Sequence, residues 1–147
     1  MENQHPKKWT VIRKENFEET LAQKPTPGVK LLEPFKSLAL KNNLPFKILE
    51  EQAIKGEAEL HHHECDLWLC LEGESTFTIG GTLINPQTRK NSAGTENPNE
   101  VKGDGIKDGE EVILKPGDWL WIQEEIPHYH ACQKTARLLI IKIPSKK

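Results

Sequence analysis

The chain has 147 residues, with 20 Lys and Arg against 22 Asp and Glu and a formal net charge of -2 at pH 7. This length suits one domain, and the balanced charge gives no electrostatic reason to expect binding to nucleic acid or to an anionic membrane. No apolar run approaches the roughly 20 residues of a membrane-spanning helix, and no secretory signal pattern opens the sequence. Three cysteines without a CxxC spacing argue against a disulfide framework, so we expect a cytoplasmic protein.

The first 40 residues are expected to form a peripheral arm. Asn16, followed three residues later by Glu19, matches a helix N-cap with its capping glutamate, which predicts a short helix over about 16–23. The PTPG stretch at 25–28 would end that helix. An arm over residues 1–40 is also long enough to pack on a partner, and we expect a homodimer.

Short strand patterns separated by turn residues fill the chain from residue 29 onward, without a sustained helical period. Many short strands at close spacing favour an antiparallel sandwich or barrel, with the jelly roll as one option. We therefore predict a single all-β barrel domain over residues 41–147. The predicted strands cover 29–32, 46–54, 57–63, 66–71, 75–80, 111–114, 119–122, 128–132 and 137–143.

One polar insert interrupts this pattern over residues 86–110. Only Ala93, Val101 and Ile106 are apolar within it, so we expect a long loop. Arg89 near its start is either part of a solvated charge pair or a group that binds a substrate carboxylate or phosphate at the barrel mouth, since a guanidinium can bind such anions in a bidentate manner.

Five of the six histidines fall in two tight clusters, each on a predicted strand. Because residues i and i+2 of a strand share a face, His61 is expected to converge with His63, and His128 with His130. Asp66 follows three residues after the first pair and adds a carboxylate. This mixture of nitrogen and oxygen donors suits one divalent transition metal, namely Fe, Mn, Ni, Zn, Co or Cu.

The spacing of the first cluster resembles the first motif of the cupin superfamily. Gly56, His61, His63 and Gly73 fit that motif, although one residue fewer separates the first glycine from the first histidine. Asp66 falls where the family has a glutamate, with a side chain shorter by one methylene. The glycine that closes the motif follows at the family spacing.

The second cupin-like motif opens at Gly117 and places His128 at its histidine position. The usual Pro, Gly and Asn of that motif are replaced here. The resemblance covers roughly residues 45–143, and the polar insert lies between the motifs, where cupins vary most.

The resemblance implies a cupin jelly-roll barrel that holds a metal near one mouth. His61, His63 and His128 would be ligands. Asp66 would be either a fourth ligand or a neighbour that orients a histidine or a water molecule. His130 would be a further ligand or a pocket acid–base group, and Asp66 is the second candidate for that catalytic role.

The remaining candidates are judged by strand parity. Trp68 has the parity of Asp66, so it is either ordinary core packing or part of a lumen wall that contacts substrate. Glu64 would point outward and is a weaker substitute ligand. Trp119 and Trp121 share one face of a strand and are expected in the core or in a dimer contact.

These residues predict a metal-dependent enzyme that acts on a small polar organic molecule. Iron(II) would favour a dioxygenase, whereas zinc, manganese or nickel would support an isomerase or lyase. The alternative is a non-catalytic cupin that binds a small molecule or a structural metal, because a fold does not establish a reaction.

Overall fold

The structure is a computed structural model that describes residues 8–145. Antiparallel strands dominate it, and its two short helices lie before and after the first strand. Over residues 8–145, no helix is both long and apolar enough to cross a bilayer. The elements in chain order are α1 Lys14–Leu21, β1 Gly28–Leu31, α2 Phe35–Lys41, β2 Phe46–Lys55, β3 Ala58–His61, β4 Glu64–Gly73, β5 Ser75–Ile79, β6 Thr82–Ile84, β7 Gln87–Lys90, β8 Glu96–Gly103, β9 Gly105–Lys107, β10 Glu110–Leu114, β11 Trp119–Ile122 and β12 His128–Pro144.

The long strand β12 takes part in both sides of the barrel. Its first residues pair with β5 and β3, and its later residues lie between β2 and β4. One side has the strand order β1, β2, β12, β4, β11. On the other side, β10 pairs with β5, β3 pairs with β8, and β8 pairs with β7. The predicted all-β antiparallel jelly roll is confirmed.

Strand alternation divides the apolar residues between two cores. On β4, Trp68 and Cys70 point into the barrel, where they pack with Phe77 of β5. Leu69 and Leu71 point to the opposite face and join a second cluster beneath the N-terminal segment. Apolar side chains of α1 and α2 therefore cover the outer face of the sheet.

The N-terminal helix is present, but it begins two residues earlier than predicted. Its N-cap is Arg13, and Asn16 occupies the third helical position, where its Oδ1 accepts a hydrogen bond from the Arg13 backbone N–H. The expectation that no helix follows residue 29 is wrong. Phe35 and Ala39 are buried one helical turn apart in α2, so packing on the sheet stabilises a helix too short for its periodicity to be read from sequence.

The polar insert is folded rather than a long loop, so that expectation is also wrong. Strands β7 and β8 form an antiparallel pair, and β8 continues the sheet beside β3. Its residues are polar because both faces of this pair are largely half-buried or exposed. The register places Glu100 opposite His61, which brings the insert to the edge of the candidate site.

Candidate metal centre

Four side chains from three strands converge inside the barrel. Glu59 and His61 share one face of β3, Asp66 comes from β4, and His128 opens β12 opposite Glu59. Asp66 Oδ2 lies 3.2 Å from His128 Nε2 and 3.6 Å from His61 Nε2. Glu59 Oε1 lies 3.6 Å from His61 Nε2 and 3.7 Å from His128 Nε2.

The burial of these groups makes their polar atoms costly to leave unpaired. The side chains of Asp66 and His128 are 0% and 2% exposed. His128 Nδ1 lies 3.0 Å from the Ile126 carbonyl, which can only accept, so Nδ1 carries a proton. Its Nε2 then faces Asp66 Oδ2, and within the described residues neither atom has a hydrogen-bond partner. Two buried acceptors at this distance require a cation or a proton between them.

The pKa values of the cluster favour ionised carboxylates on Glu59 and Asp66 beside a protonated His61. Burial alone would lower the pKa of His61, but the carboxylates of Asp66 and Glu59, each 3.6 Å from its Nε2, raise it to about 9. Burial would raise the pKa of Glu59, but contacts with His61 and Glu100 hold it at about 2. The pKa of Asp66 is well below its usual range, because the nearby imidazoles of His128 and His61 and the Lys142 ammonium outweigh the effect of its burial.

The donor set fits a divalent transition metal. Glu59, His61 and His128 each offer a ligand atom within 4.8 Å of the others, and so do His61, Glu64 and Asp66. Two imidazole nitrogens with carboxylate oxygens are ligands that Fe, Mn, Co, Ni and Zn accept. A cation bound by both, or a proton shared between them, would satisfy the orphaned atoms of Asp66 and His128.

His63 lies outside this cluster, and the expectation that it shares a face with His61 is wrong. Strand β3 ends at His61, and residues 62 and 63 form a bend before β4 begins. The His63 backbone N–H donates to Asn99 Oδ1, and its carbonyl accepts from the Ser145 N–H. The imidazole is exposed. His62 instead pairs with Glu125 through Nδ1 at 3.0 Å.

His130 belongs to a second polar group in the barrel. Its Nδ1 lies 2.6 Å from Glu51 Oε2, and Ser75 Oγ donates to the other oxygen of Glu51 at 2.5 Å. Its ring packs against Trp68 and Phe77, with centroid distances of 5.0 Å and 5.1 Å. The structure therefore places His130 among core aromatics, and it is in neither of the two ligand groups.

Trp68 and Arg89, the two predicted substrate contacts, have intramolecular partners. Trp68 is buried in the inner core. Arg89 bridges carboxylates: Nη2 lies 2.9 Å from Glu57 and 3.6 Å from Glu59, and Nε lies 3.0 Å from Glu100. Arg89 thus connects the insert to a carboxylate of the cluster.

Two residues of the site, Glu59 and Lys142, were not predicted from the sequence. Glu59 precedes His61 by two positions on a strand, so the parity argument applied to the histidines could have found it. Lys142 has no such signal, because only the pairing of β12 with β4 brings it opposite Asp66. Its Nζ donates to Asp66 Oδ1 at 2.7 Å and lies 3.3 Å from His61 Nε2.

Comparisons with known proteins give likenesses of structure only. No family model and no curated protein matches the sequence. The Drosophila melanogaster CENP-C cupin domain has a TM-score of 0.46 and 12% identity over 67% of this chain and 56% of that one. Hydroxypropylphosphonic acid epoxidase from S. wedmorenis has a TM-score of 0.44 and 14% identity over 67% of this chain and 42% of that one.

Cobalt(II) HppE in complex with Tris buffer has a TM-score of 0.47 and 17% identity over 81% of this chain and 55% of that one. The chain thus spans about half the length of these three structures. At these identities and TM-scores, neither a family nor an activity is carried from these structures to this chain.

Proposed function

We propose that this chain is a metal-binding cupin whose divalent transition metal is held by His61, His128, Asp66 and Glu59. The observation that carries the proposal is the 3.2 Å approach of His128 Nε2 to Asp66 Oδ2, two buried atoms that lack a hydrogen-bond partner in the described residues. A cation between them satisfies both, and His61 and Glu59 lie within reach of the same point.

We infer that the metal serves a reaction on a small polar organic molecule, either oxygenation or an isomerase or lyase reaction. A bound divalent ion would supply Lewis-acid chemistry and, as iron(II), access to O₂. Asp66 remains a carboxylate, which suits a ligand better than a proton donor. His130 is the proposed acid–base group, because Glu51 orients its Nδ1 and leaves Nε2 as the exchanging nitrogen.

A non-catalytic metal- or ligand-binding cupin is the second candidate. Its support is the packing of Trp68 on Phe77 and on His130, with centroids 5.2 Å and 5.0 Å apart, which fills part of the barrel with side chains. Oxygen consumption by the iron(II)-loaded protein, measured across diols, enediols and thiols, separates binding from oxygenation. A substrate-dependent rate supports the dioxygenase, and its absence with all substrates favours binding or isomerisation.

The metal proposal is tested by metal analysis of protein purified without a His tag. His61→Ala and His128→Ala are each expected to lose bound metal, while His62→Ala and His63→Ala serve as matched histidine controls and retain it. Zn²⁺ titration by calorimetry gives the affinities. Full occupancy in His128→Ala, or no measurable binding by the wild type, would overturn the assignment.

We also propose a homodimer in a reducing compartment such as the cytoplasm. Trp119 and Trp121 are 58% and 48% exposed on β11, which pairs within the described residues with β4 alone. An exposed pair of tryptophans on an edge strand suits burial against a second copy. Light scattering is expected to give a dimer that Trp119→Lys converts to monomer, and a monomeric wild type would refute it. The proposed reducing compartment is supported by the three cysteines, whose thiols are all free and buried.

A further inference from the structure

Lys142 places an ammonium group inside the proposed metal centre. It lies on β12 directly opposite Asp66 of β4 in the strand register. Its Nζ donates to Asp66 Oδ1 at 2.7 Å and lies 3.3 Å from Nε2 of His61. These two residues also supply candidate ligand atoms, so the ammonium contacts the groups that a metal would use.

A divalent ion and this ammonium cannot occupy their positions without mutual repulsion. Two cations that share one carboxylate inside a protein are only weakly screened, since the effective dielectric constant there is far below that of water. The side chain of Asp66 is 0% exposed, so without a metal its charge depends on Lys142 and on the neighbouring imidazoles. The ammonium therefore stabilises the site and opposes the metal at the same time.

Lys142 has a second carboxylate to which it can move. Glu64 Oε1 lies 3.6 Å from Nζ, at the start of β4. The side chain of Lys142 is 37% exposed, and its four-carbon stem is flexible. Withdrawal from Asp66 therefore leaves the ammonium both solvated and paired.

We propose that Lys142 is a built-in competitor of the metal: its ammonium holds Asp66 when no divalent ion is bound and moves to Glu64 when one binds. This inference rests on the proposed metal site. Lys142 is a positioning residue that sets the metal affinity and keeps the buried carboxylate neutralised without metal.

Lys142→Met tests this through two quantities that move in opposite directions. Its affinity for Zn²⁺, measured by chelator competition, is expected to rise about tenfold or more, because no second cation repels the metal at Asp66. Its melting temperature in EDTA is expected to fall, because Asp66 loses its cation. Lys134→Met, an exposed change on the same strand, is expected to alter neither.

A lysine that merely supports the fold would lower both quantities when removed, so an unchanged or weaker Zn²⁺ affinity in Lys142→Met overturns the proposal. If that variant does not fold, Lys142→Gln, which still donates to Asp66 but carries no charge, is expected to show the same tighter binding. Lys142→Arg, which keeps the charge, is expected to bind Zn²⁺ no more tightly than the wild type.

The role of Glu64 is separated from direct ligation by a double-mutant cycle. Glu64→Gln is expected to weaken Zn²⁺ binding in the wild type but to change nothing in Lys142→Met. A loss that persists in Lys142→Met would make Glu64 a ligand and overturn the proposed movement. If the wild type binds no Zn²⁺, the metal site itself fails; if it binds and Lys142→Met does not differ, only the role of Lys142 fails.

Discussion

Arg137 of β12 and Glu50 of β2 are register partners on neighbouring strands, and their side chains form a fully buried ion pair on the face covered by the N-terminal segment. Glu50 Oε1 accepts from Arg137 Nε at 2.9 Å and lies 2.8 Å from Nη2, and the two side chains are 2% and 0% exposed. The guanidinium also donates to the carbonyls of Leu21 and Gln23, each at 2.6 Å, and to Glu72 Oε2 at 3.4 Å. One side chain of β12 thus fixes the end of α1 to the outer face of the barrel.

We predict that Arg137→Met lowers the free energy of unfolding by about 3–5 kcal/mol, because it leaves the Glu50 carboxylate buried without its main partner. Urea unfolding followed by circular dichroism measures this loss. Lys24→Met, an exposed change beside the same segment, is expected to stay within about 0.5 kcal/mol of the wild type. A loss below about 1 kcal/mol for Arg137→Met would contradict the assigned role.

The Glu51 carboxylate is predicted to fix the tautomer of His130. A carboxylate only accepts, so the 2.6 Å contact requires the proton on Nδ1 of the imidazole. Long-range ¹H–¹⁵N spectra are expected to show a protonated Nδ1 in the wild type and a loss of this preference in Glu51→Leu. Ser75→Ala, which removes the other contact of Glu51, is expected to leave the tautomer unchanged. A protonated Nδ1 in Glu51→Leu would show that other contacts set it.

Much of the fold follows from alternation along single strands. The pattern around Trp68 predicts one face toward the core, and in the structure Trp68 and Cys70 do pack inside the barrel. The same parity argument brings Asp66 to that interior, where it meets His61 and His128. These local patterns suffice because strand geometry assigns residues i and i+2 to one face.

The rest of the site depends on contacts between distant segments. His63 leaves the cluster because the chain bends there, and its backbone bonds to Asn99 and Ser145, residues from two other parts of the fold. Lys142 reaches Asp66 only through the register of β12 on β4. A single sequence specifies such registers weakly, since a shift of one residue would invert the faces of a strand.

The cysteines are predicted to be unreactive in the folded protein. Burial raises the pKa of the Cys70 thiol to about 11 and raises that of Cys132, while a hydrogen bond to Glu124 raises that of Cys65. The thiolate is the reactive form, so a disulfide reagent at pH 8 is expected to label native protein slowly. Unfolding in guanidinium should release all three thiols at once. Rapid labelling of three equivalents before unfolding would contradict the burial.

The stability of metal-free protein is predicted to fall at alkaline pH because of His61. Its pKa is raised from 6.5 to about 9 in the folded protein, mainly by Asp66 against the effect of burial. The folded state therefore holds this proton more tightly than the unfolded state does. Its contribution is complete below pH 6.5 and is lost as the pH rises through 9.

Denaturant unfolding in EDTA between pH 6.5 and 9 measures this loss, which is expected to reach at most about 3 kcal/mol. His61→Gln cannot carry the proton, so its free energy of unfolding should stay nearly constant over this interval. In the wild type, the His62 imidazole pairs with Glu125 at the surface. The control His62→Gln should therefore show the same decline in the free energy of unfolding as the wild type. An equal decline in His61→Gln and the wild type would assign the pH dependence to other groups and remove the proposed Asp66–His61 interaction as its cause.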